Sequence, residues 1–442
     1  MMRILLVRPA LKLLGWWGRE STGLVADKDS AVVVQLTSYF YNRGRPIAVE
    51  MVAASVPERH EVHILDLCNA DDSSLEEELA AFQPGIVGVS CTFTCAINST
   101  LHTLRRIRAA SPDAFVIVGG HAPSMAPEYF ADEADAVAVG EGEVILPPLI
   151  ERLEQGRDWH DLPGLAYHVN GVLCRPASGP ALVGDLDGVP PPAERRLPHY
   201  VGQWRPPTGQ VEPLFTSRGC PGRCSFCAGG NSSHGRYRWM SAERAVKEIE
   251  VLPVSCVGCL DANFMANVPR ARRIAELLLE RGVQKRYFFK ARSDSITRHP
   301  EVLELWKRAG LSDVFCGFES TDEDWLADMR KGSTVDLNCQ AVDILHSYGL
   351  KVAARFIIRP DFVEADFERL RRFIVDYSID LPQFTLLTPY PGTELWAQCS
   401  GRLVTRNWDH FDGNHAVLPT SLSPIRFYQA CFELASSTLP RQ

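Results

Sequence analysis

Long apolar runs are missing from this sequence. Nowhere do about 18 uninterrupted apolar residues follow one another, the length a membrane span needs, so none is expected. Basic charge is scarce as well. Lys and Arg number 46 against 54 Asp and Glu, for a formal net charge of −8. Nucleic acid selects a basic face, and no appended basic helix-turn-helix occurs, so nucleic acid is not an expected partner. The charge runs are short and mixed, as at Glu368–Arg372, and solvated helix faces account for them. The opening MMRILLVRPALKLLG lacks the marks of a signal peptide. Arg8, Pro9 and Lys12 interrupt its apolar run and no small-residue cleavage site follows, so Arg3–Val7 reads as a first buried strand. Cysteine density is too low for a secreted scaffold. The 13 cysteines in 442 residues are odd in number and mostly scattered, which points to a reducing cytoplasm. An apolar share of 45% with 23% charged residues is that of a globular chain, here long enough for two or three domains.

Strand and helix signals alternate twice. RILLV (3–7), EVHIL (61–65), GIVGVS (85–90), AFVIVGG (114–120) and AVAVG (136–140) are short apolar runs, with helical patterns at 97–110 and 145–154. They predict a Rossmann-like parallel sheet covered by helices over residues 1–155. The stretch 9–45, with Trp16, Trp17, Tyr39 and Tyr41, is a long and therefore functional or mobile loop. Residues 156–212 are rich in proline and glycine and read as a linker, with one hairpin across Asn170-Gly171. A second series follows at 213–395. Its strands are expected near 213–217, 253–261, 287–291, 313–319, 351–358 and 383–388, separated by helices. Six such units predict a partial (β/α)6 barrel with its chemistry at the C-terminal strand ends. Residues 396–442 form a small C-terminal segment ending in a helix from Pro424.

The strongest chemical signal is TSRGCPGRCSFC (216–227), directly after the first strand of the second series. Cys220, Cys224 and Cys227 lie in C-x3-C-x2-C spacing. Thiolates are the usual iron–sulfur ligands, and a cubane normally takes four. Three from one loop leave one iron open to a small molecule, the logic of an open catalytic metal site. Gly219, Pro221 and Gly222 keep the loop out of a helix. A structural zinc site would need a fourth ligand, for which His234 is the nearest histidine, and would more usually show C-x2-C pairs. Cys256 and Cys259 do form such a pair. In a strand, however, residues three apart face opposite ways, so both read as core thiols.

With Phe226 in the aromatic place of C-x3-C-x-aromatic-C, the chain resembles the radical S-adenosylmethionine (SAM) superfamily, and the resemblance extends from 213 to about 395. It implies a 4Fe–4S cluster on the three cysteines and SAM chelated by the open iron. One electron would then cleave SAM to a 5′-deoxyadenosyl radical that abstracts a substrate hydrogen. It also implies SAM contacts from Phe226, Ala228, Gly229, Gly230, Arg292, Glu319 and Ser320, drawn from AGG (228–230), KARSD (290–294) and GFES (317–320). Arg292 and Glu319 could instead be a structural ion pair. TPYPGT (388–393) resembles the segment that closes the sixth strand, and CLDANF (259–264) the acid-rich end of the second, with Ala262 where many members have an aspartate. Arg359 in FIIRPDF replaces a frequent glycine.

The first domain lacks G-x-G-x-x-G, so nicotinamide is not its expected ligand. Its loops SCTFT (90–94), VGGHAPS (118–124) and VGEGEV (139–144) fall at strand ends, where open parallel sheets bind ligands. These segments resemble the cobalamin-binding domain that precedes many radical SAM enzymes. The resemblance implies cobalamin contacts from Ser90, Thr92, Gly119, Gly120, His121, Gly140, Glu141, Gly142 and Glu143. D-x-H-x-x-G is absent, which implies cobalamin bound without a protein imidazole, and His121 could simply hydrogen-bond loop backbone. Both cofactors together imply methylation of an unactivated carbon, with no catalytic acid or base singled out. Rearrangement, cyclisation or ring contraction by the same machinery, and a non-catalytic cobalamin or cluster sensor, are the other readings. The expected partners are a small or lipid-like substrate and an electron donor of flavodoxin or ferredoxin type. Substrate contacts are sought in the loop 16–41 and in the tail, at Trp408, His410, Phe411 and His415.

Overall fold

A computed structural model describes residues 1–11, 45–192, 199–203, 211–233 and 235–438. The aromatic residues Trp16, Trp17, Tyr39 and Tyr41, and the histidine His234, lie outside the described residues.

The first sheet has eight strands: β1 (Arg3–Arg8), β2 (Glu61–Asp66), β3 (Ile86–Ser90), β4 (Phe115–Gly119), β5 (Ala136–Ala138), β6 (Leu165–Val169), β7 (Val172–Cys174) and β8 (Tyr200–Val201). Their order is β7-β6-β5-β4-β3-β1-β2-β8, parallel except where β6 and β7 join. The succession β2-β1-β3-β4-β5 is doubly wound, with its switch point between β1 and β3. Apolar residues without interruption make β1 a strand buried on both faces. Leu5 and Val7 pack into one core, Ile4 and Leu6 into the other.

The stretch expected to be linker contributes more than a hairpin. Asn170 (φ 51°) and Gly171 (φ 77°) make the left-handed turn between β6 and β7, as their dipeptide signals. The hairpin then pairs antiparallel onto β5, and β8 pairs onto β2. Both additions cover edges that a five-stranded parallel sheet would leave open.

The second sheet is formed by β9 (Val211–Leu214), β12 (Cys256–Cys259), β13 (Arg286–Ala291), β14 (Leu311–Glu319), β15 (Lys351–Ile358) and β16 (Leu381–Leu386), all parallel and in sequence order. It is the expected six-stranded partial barrel. The outward residues Val257, Phe289, Val314, Phe318, Val352 and Phe356 enter a core with Trp306, whose indole N–H donates to the Ala271 carbonyl at 2.9 Å. The inward positions that alternate with them include Lys290 and Arg355. Cys256 and Cys259 are both buried in β12, as strand geometry predicts, and burial pushes the Cys259 thiol well up. The final helix, Pro424–Thr438, packs Phe427, Cys431 and Leu434 into the same core, so the C-terminal segment completes the barrel's helical layer.

Candidate active site

Two short strands that no periodicity could signal, β10 (Ser217–Arg218) and β11 (Arg238–Trp239), pair antiparallel and pinch the base of the cysteine loop. Gly219 turns the chain at φ 80°, where a Cβ would stand 2.1 Å from the Arg236 carbonyl oxygen. The fully buried Asp261 carboxylate accepts from the Thr216 N–H and Oγ1, each at 2.6 Å, and from the Ser217 N–H at 3.0 Å. Arg270 donates to the carbonyls of Met240 (2.6 Å) and Thr216 (2.9 Å). At the far side of the loop the Ser225 N–H donates to the Met329 carbonyl, and the Leu395 N–H donates to that of Ser225. The loop is thus tied to the ends of β9 and β12 and to the segments that follow β14 and β16.

Inside it, the missing side chains of Gly222 and Gly229 keep a cradle open around the sulfurs. A Cβ on Gly222 would meet Cys220 Sγ at 3.4 Å, and one on Gly229 would meet Cys227 Sγ at 3.9 Å. Burial pushes the Cys224 thiol up, with Lys331 and Arg292 pulling the other way. Burial also raises Cys227, against the amides of Gly230 and Gly229. Cations and backbone N–H groups are the environment that thiolate ligands to a cluster require, so these residues fit an iron–sulfur group.

Around the cradle lie the other strand-end residues. Arg292 follows β13 and donates to Asp294 (3.0 Å) and to the carbonyls of Lys331 (2.5 Å) and Gly332 (3.1 Å). Its ion-pair partner is Asp294. Glu319 ends β14 at φ 65° and pairs instead with Lys331 Nζ at 2.8 Å. Burial works against the charge on Lys331, yet Glu319 and Cys224 hold its pKa above the ordinary value. The Glu319 carboxylate folds back over Gly317, where a Cβ would stand within 2.3 Å of Oε1. Ser320 Oγ accepts from the Asp322 N–H at 3.0 Å. Phe226 packs with Trp325, Ile357 and Leu387. Ala228, Gly229 and Gly230 open the short helix Ala228–Ser232 directly after Cys227. Arg359 is held by Asp361 at 2.6 Å and lies over the Trp325 ring.

The loops of the first domain meet this region. Ser90 ends β3, with Thr92 exposed just beyond it. Gly119 and Gly120 end β4, and Ser124 knits them to the next loop by donating to the Gly120 carbonyl (2.7 Å) and accepting from the Gly140 N–H (3.0 Å). The short helix His121–Met125 lies against the helix Ala228–Ser232, and burial lowers the His121 pKa. Gly392 of TPYPGT is packed so closely that a Cβ would stand 2.8 Å from the Met125 carbonyl oxygen. Gly142 is as tightly packed, against Val52. Glu141 takes both terminal nitrogens of Arg238 (2.7 and 2.9 Å), lies 3.4 Å from Arg218, and accepts the Val183 N–H. Glu143 pairs with Arg218 at 2.6 Å. The tail closes a further side. Asn98 donates to Asn407 (2.7 Å) and Asp409 (3.0 Å), and Trp408 packs edge-on to Tyr129. Near Trp408 lies Phe411, while His415 binds Asp412 and stacks on His410. The loops after β4 and β5 therefore face the cysteine loop and the segment after β16, and the segment after β3 meets the tail.

The B12 binding domain family matches residues 35–150, and the Radical SAM superfamily matches residues 214–374. An uncharacterized methyltransferase of Pyrococcus horikoshii is 30% identical over 377 residues, covering 83% of this chain and 81% of that protein. The chain belongs to the radical SAM superfamily, among members that carry a B12-binding domain. Another relative, the hopanoid C-3 methylase of Methylococcus capsulatus, is 29% identical over 394 residues, 87% of this chain and 75% of that one. The fold matches a radical SAM methyltransferase from Kitasatospora setae, TsrM, whose structure holds cobalamin and a 4Fe–4S cluster. The TM-score is 0.68 at 19% identity, over 97% of this chain and 85% of that one. Sequence reasoning passed over several residues around the cysteine loop: Lys331, Arg218 and Arg238. Arg218 stands inside the cysteine motif itself. Lys331 and Arg238 carry no local signal. Among the described residues no helix is long and apolar enough to cross a membrane.

Proposed function

We propose that this chain is a cobalamin-dependent radical SAM C-methyltransferase, acting on an unactivated carbon of a small or lipid-like molecule and drawing electrons from a flavodoxin- or ferredoxin-type donor in the cytoplasm. The observation that carries this reading is the apposition of the two sets of strand-end loops, with His121 against Ala228 and Glu143 against Arg218. Methyl transfer from one cofactor to a radical made at another demands adjacent sites, because a radical that diffuses reacts with the wrong partner. When bound, a 4Fe–4S cluster on Cys220, Cys224 and Cys227 together with SAM supplies the hydrogen-abstracting radical, and cobalamin supplies the methyl group.

The chain's own residues do the rest. Glu319, steadied by Lys331, and Arg292, steadied by Asp294, offer one carboxylate and one guanidinium beside the open cradle, suited to the amino and carboxylate ends of SAM. Phe226, Ile357 and Leu387 form an apolar floor that excludes water. Ser90, Thr92, Gly119, Gly120 and Gly140 offer hydroxyls and close backbone approach to a large polar ligand. With D-x-H-x-x-G absent, cobalamin would be held without a protein imidazole, and His121 lies instead beside the Ala228 helix.

The test is anaerobic reconstitution with iron, sulfide and cobalamin, then reduction with SAM and a hopanoid as first candidate substrate, chosen from the name of the Methylococcus relative. Formation of 5′-deoxyadenosine and a product heavier by one methyl group is expected. A product of altered structure but no added methyl would replace methylation by rearrangement or cyclisation. Absence of 5′-deoxyadenosine under every condition would leave a sensor.

A further inference from the structure

Away from the facing loops, three side chains on the far edge of the first sheet converge. His63 lies on β2, Glu78 on the helix Ser74–Phe82, and His199 just before β8. His63 Nδ1 stands 2.6 Å from one Glu78 oxygen and His199 Nε2 stands 2.9 Å from the other. The three ligand atoms all lie within 4.8 Å of one another. Glu78 is buried, its side chain only 9% exposed, and among the described residues the groups on it are these two rings rather than an arginine or lysine.

We propose that His63, Glu78 and His199 bind one zinc ion. Two imidazoles and a carboxylate are a donor set that zinc takes, with a water completing the tetrahedron. Two further features point to a metal rather than to hydrogen bonds alone. The second nitrogen of His63 faces Glu61 Oε1 at 3.5 Å, the carboxylate–histidine arrangement that orients a metal-bound imidazole. The His63 ring is also locked flat on Phe82, with centroids 3.5 Å apart and planes 15° apart. Two of the three ligands are thus preset, and the half-exposed His199, already 2.9 Å from Glu78 with its ring centroid 4.3 Å from that of His63, is the third. The ion has a mechanical purpose. β8 is only two residues long and meets β2 through Ile64–Tyr200 and Leu65–Val201. Zinc bridging His199 to His63 and Glu78 would staple the returning linker to the cobalamin-type domain.

The test uses the reconstituted holoenzyme, so that the cysteine loop is already filled with iron. Zinc chloride is titrated against a chromophoric chelator, and zinc and iron per chain are measured after desalting. One zinc per chain is expected above the iron, lost in His63→Ala and in His199→Ala with iron unchanged. Glu61→Gln should keep the stoichiometry but weaken binding about tenfold. Because His199 is half-exposed, its variant stays informative even if His63→Ala misfolds. No zinc beyond background in the wild type, or zinc retained at the wild-type level in both histidine variants, would overturn the site. Neither result bears on methyl transfer.

Discussion

Lys331→Met isolates what holds the Glu319 carboxylate, the group proposed to face SAM. Lys331 and Glu319 are each 9% exposed at the side chain and sit 2.8 Å apart, so removing the ammonium leaves a buried carboxylate without its cation. Breaking a buried pair from one side costs about 3–5 kcal/mol, against a whole-domain stability of about 5–15 kcal/mol. Glu319 also sits at φ 65°, a left-handed backbone that costs about 1–2 kcal/mol in a residue with a Cβ. The pair therefore restrains a segment that has somewhere easier to go. The double variant Glu319→Gln/Lys331→Met removes both charges at similar shape and should recover most of the loss, since no ion is left unpaired. Stability and function should then part company. In urea unfolding followed by far-UV circular dichroism, the single variant falls by about 3 kcal/mol and the double stays within about 1 kcal/mol of wild type. SAM binding by the reconstituted protein is weak in both. A single variant losing under about 1 kcal/mol, or a double no better than the single, would refute the buried pairing.

Other expectations follow from the same geometry. Gly222→Ala puts a methyl 3.3 Å from Arg292 Nη1 and 3.4 Å from Cys220 Sγ, so reconstituted iron per chain should drop severalfold in a colorimetric assay while the fold survives. Arg218→Ala strands Glu143, whose side chain is 8% exposed, at a cost of about 3 kcal/mol. Cobalamin retained through gel filtration should fall, and adding Glu143→Ala should cost less than the sum of the two single changes. Glu141 gives an acid limb. Burial pushes its carboxyl up, but Arg238, Arg218 and the Val183 amide together bring it below its ordinary 4.5. Its folded value is depressed, so its contribution is complete above about pH 4.5 and is lost as pH falls further. The thermal midpoint of wild type should fall more steeply in that window than that of Glu141→Gln.

What could be read from the chain was local. Three cysteines in eight residues, the Asn170-Gly171 turn and the uninterrupted apolar run of β1 each declare themselves within one short window. The six barrel strands were legible because helices with clear apolar spacing separate them. The two-residue strands β10 and β11 are too short for any period. The role of the hairpin 165–174 as an extension of the first sheet depends on a partner strand that carries no mark of it. The ion pairs were hidden by distance along the chain: Glu141 and Arg238 are 97 residues apart. Glutamates in a GEGE loop look like ligand contacts from sequence, and Lys331 looks like a surface lysine. Only the fold shows that the first pair engages arginines beside the cysteine loop and that the lysine is buried against Glu319.

The character of the contact between the domains bears on the chemistry. An apolar interface would adhere, but it tolerates sliding because burial is non-directional. Here the facing segments are joined by charge-assisted and hydrogen-bonded contacts of fixed direction: Glu141 on Arg238, Glu143 on Arg218 and Asn98 on Asp409. Directional pairs of this kind set register and orientation more than they add affinity. Two of them grip the paired strands at the base of the cysteine loop, Arg218 two positions before Cys220 and Arg238 opposite it. A shift of the first domain would therefore move the cradle with it. Radical abstraction and group transfer both fail over about an ångström of misplacement, and a coupling that ties one site's position to the other is what a two-site radical reaction needs from its scaffold.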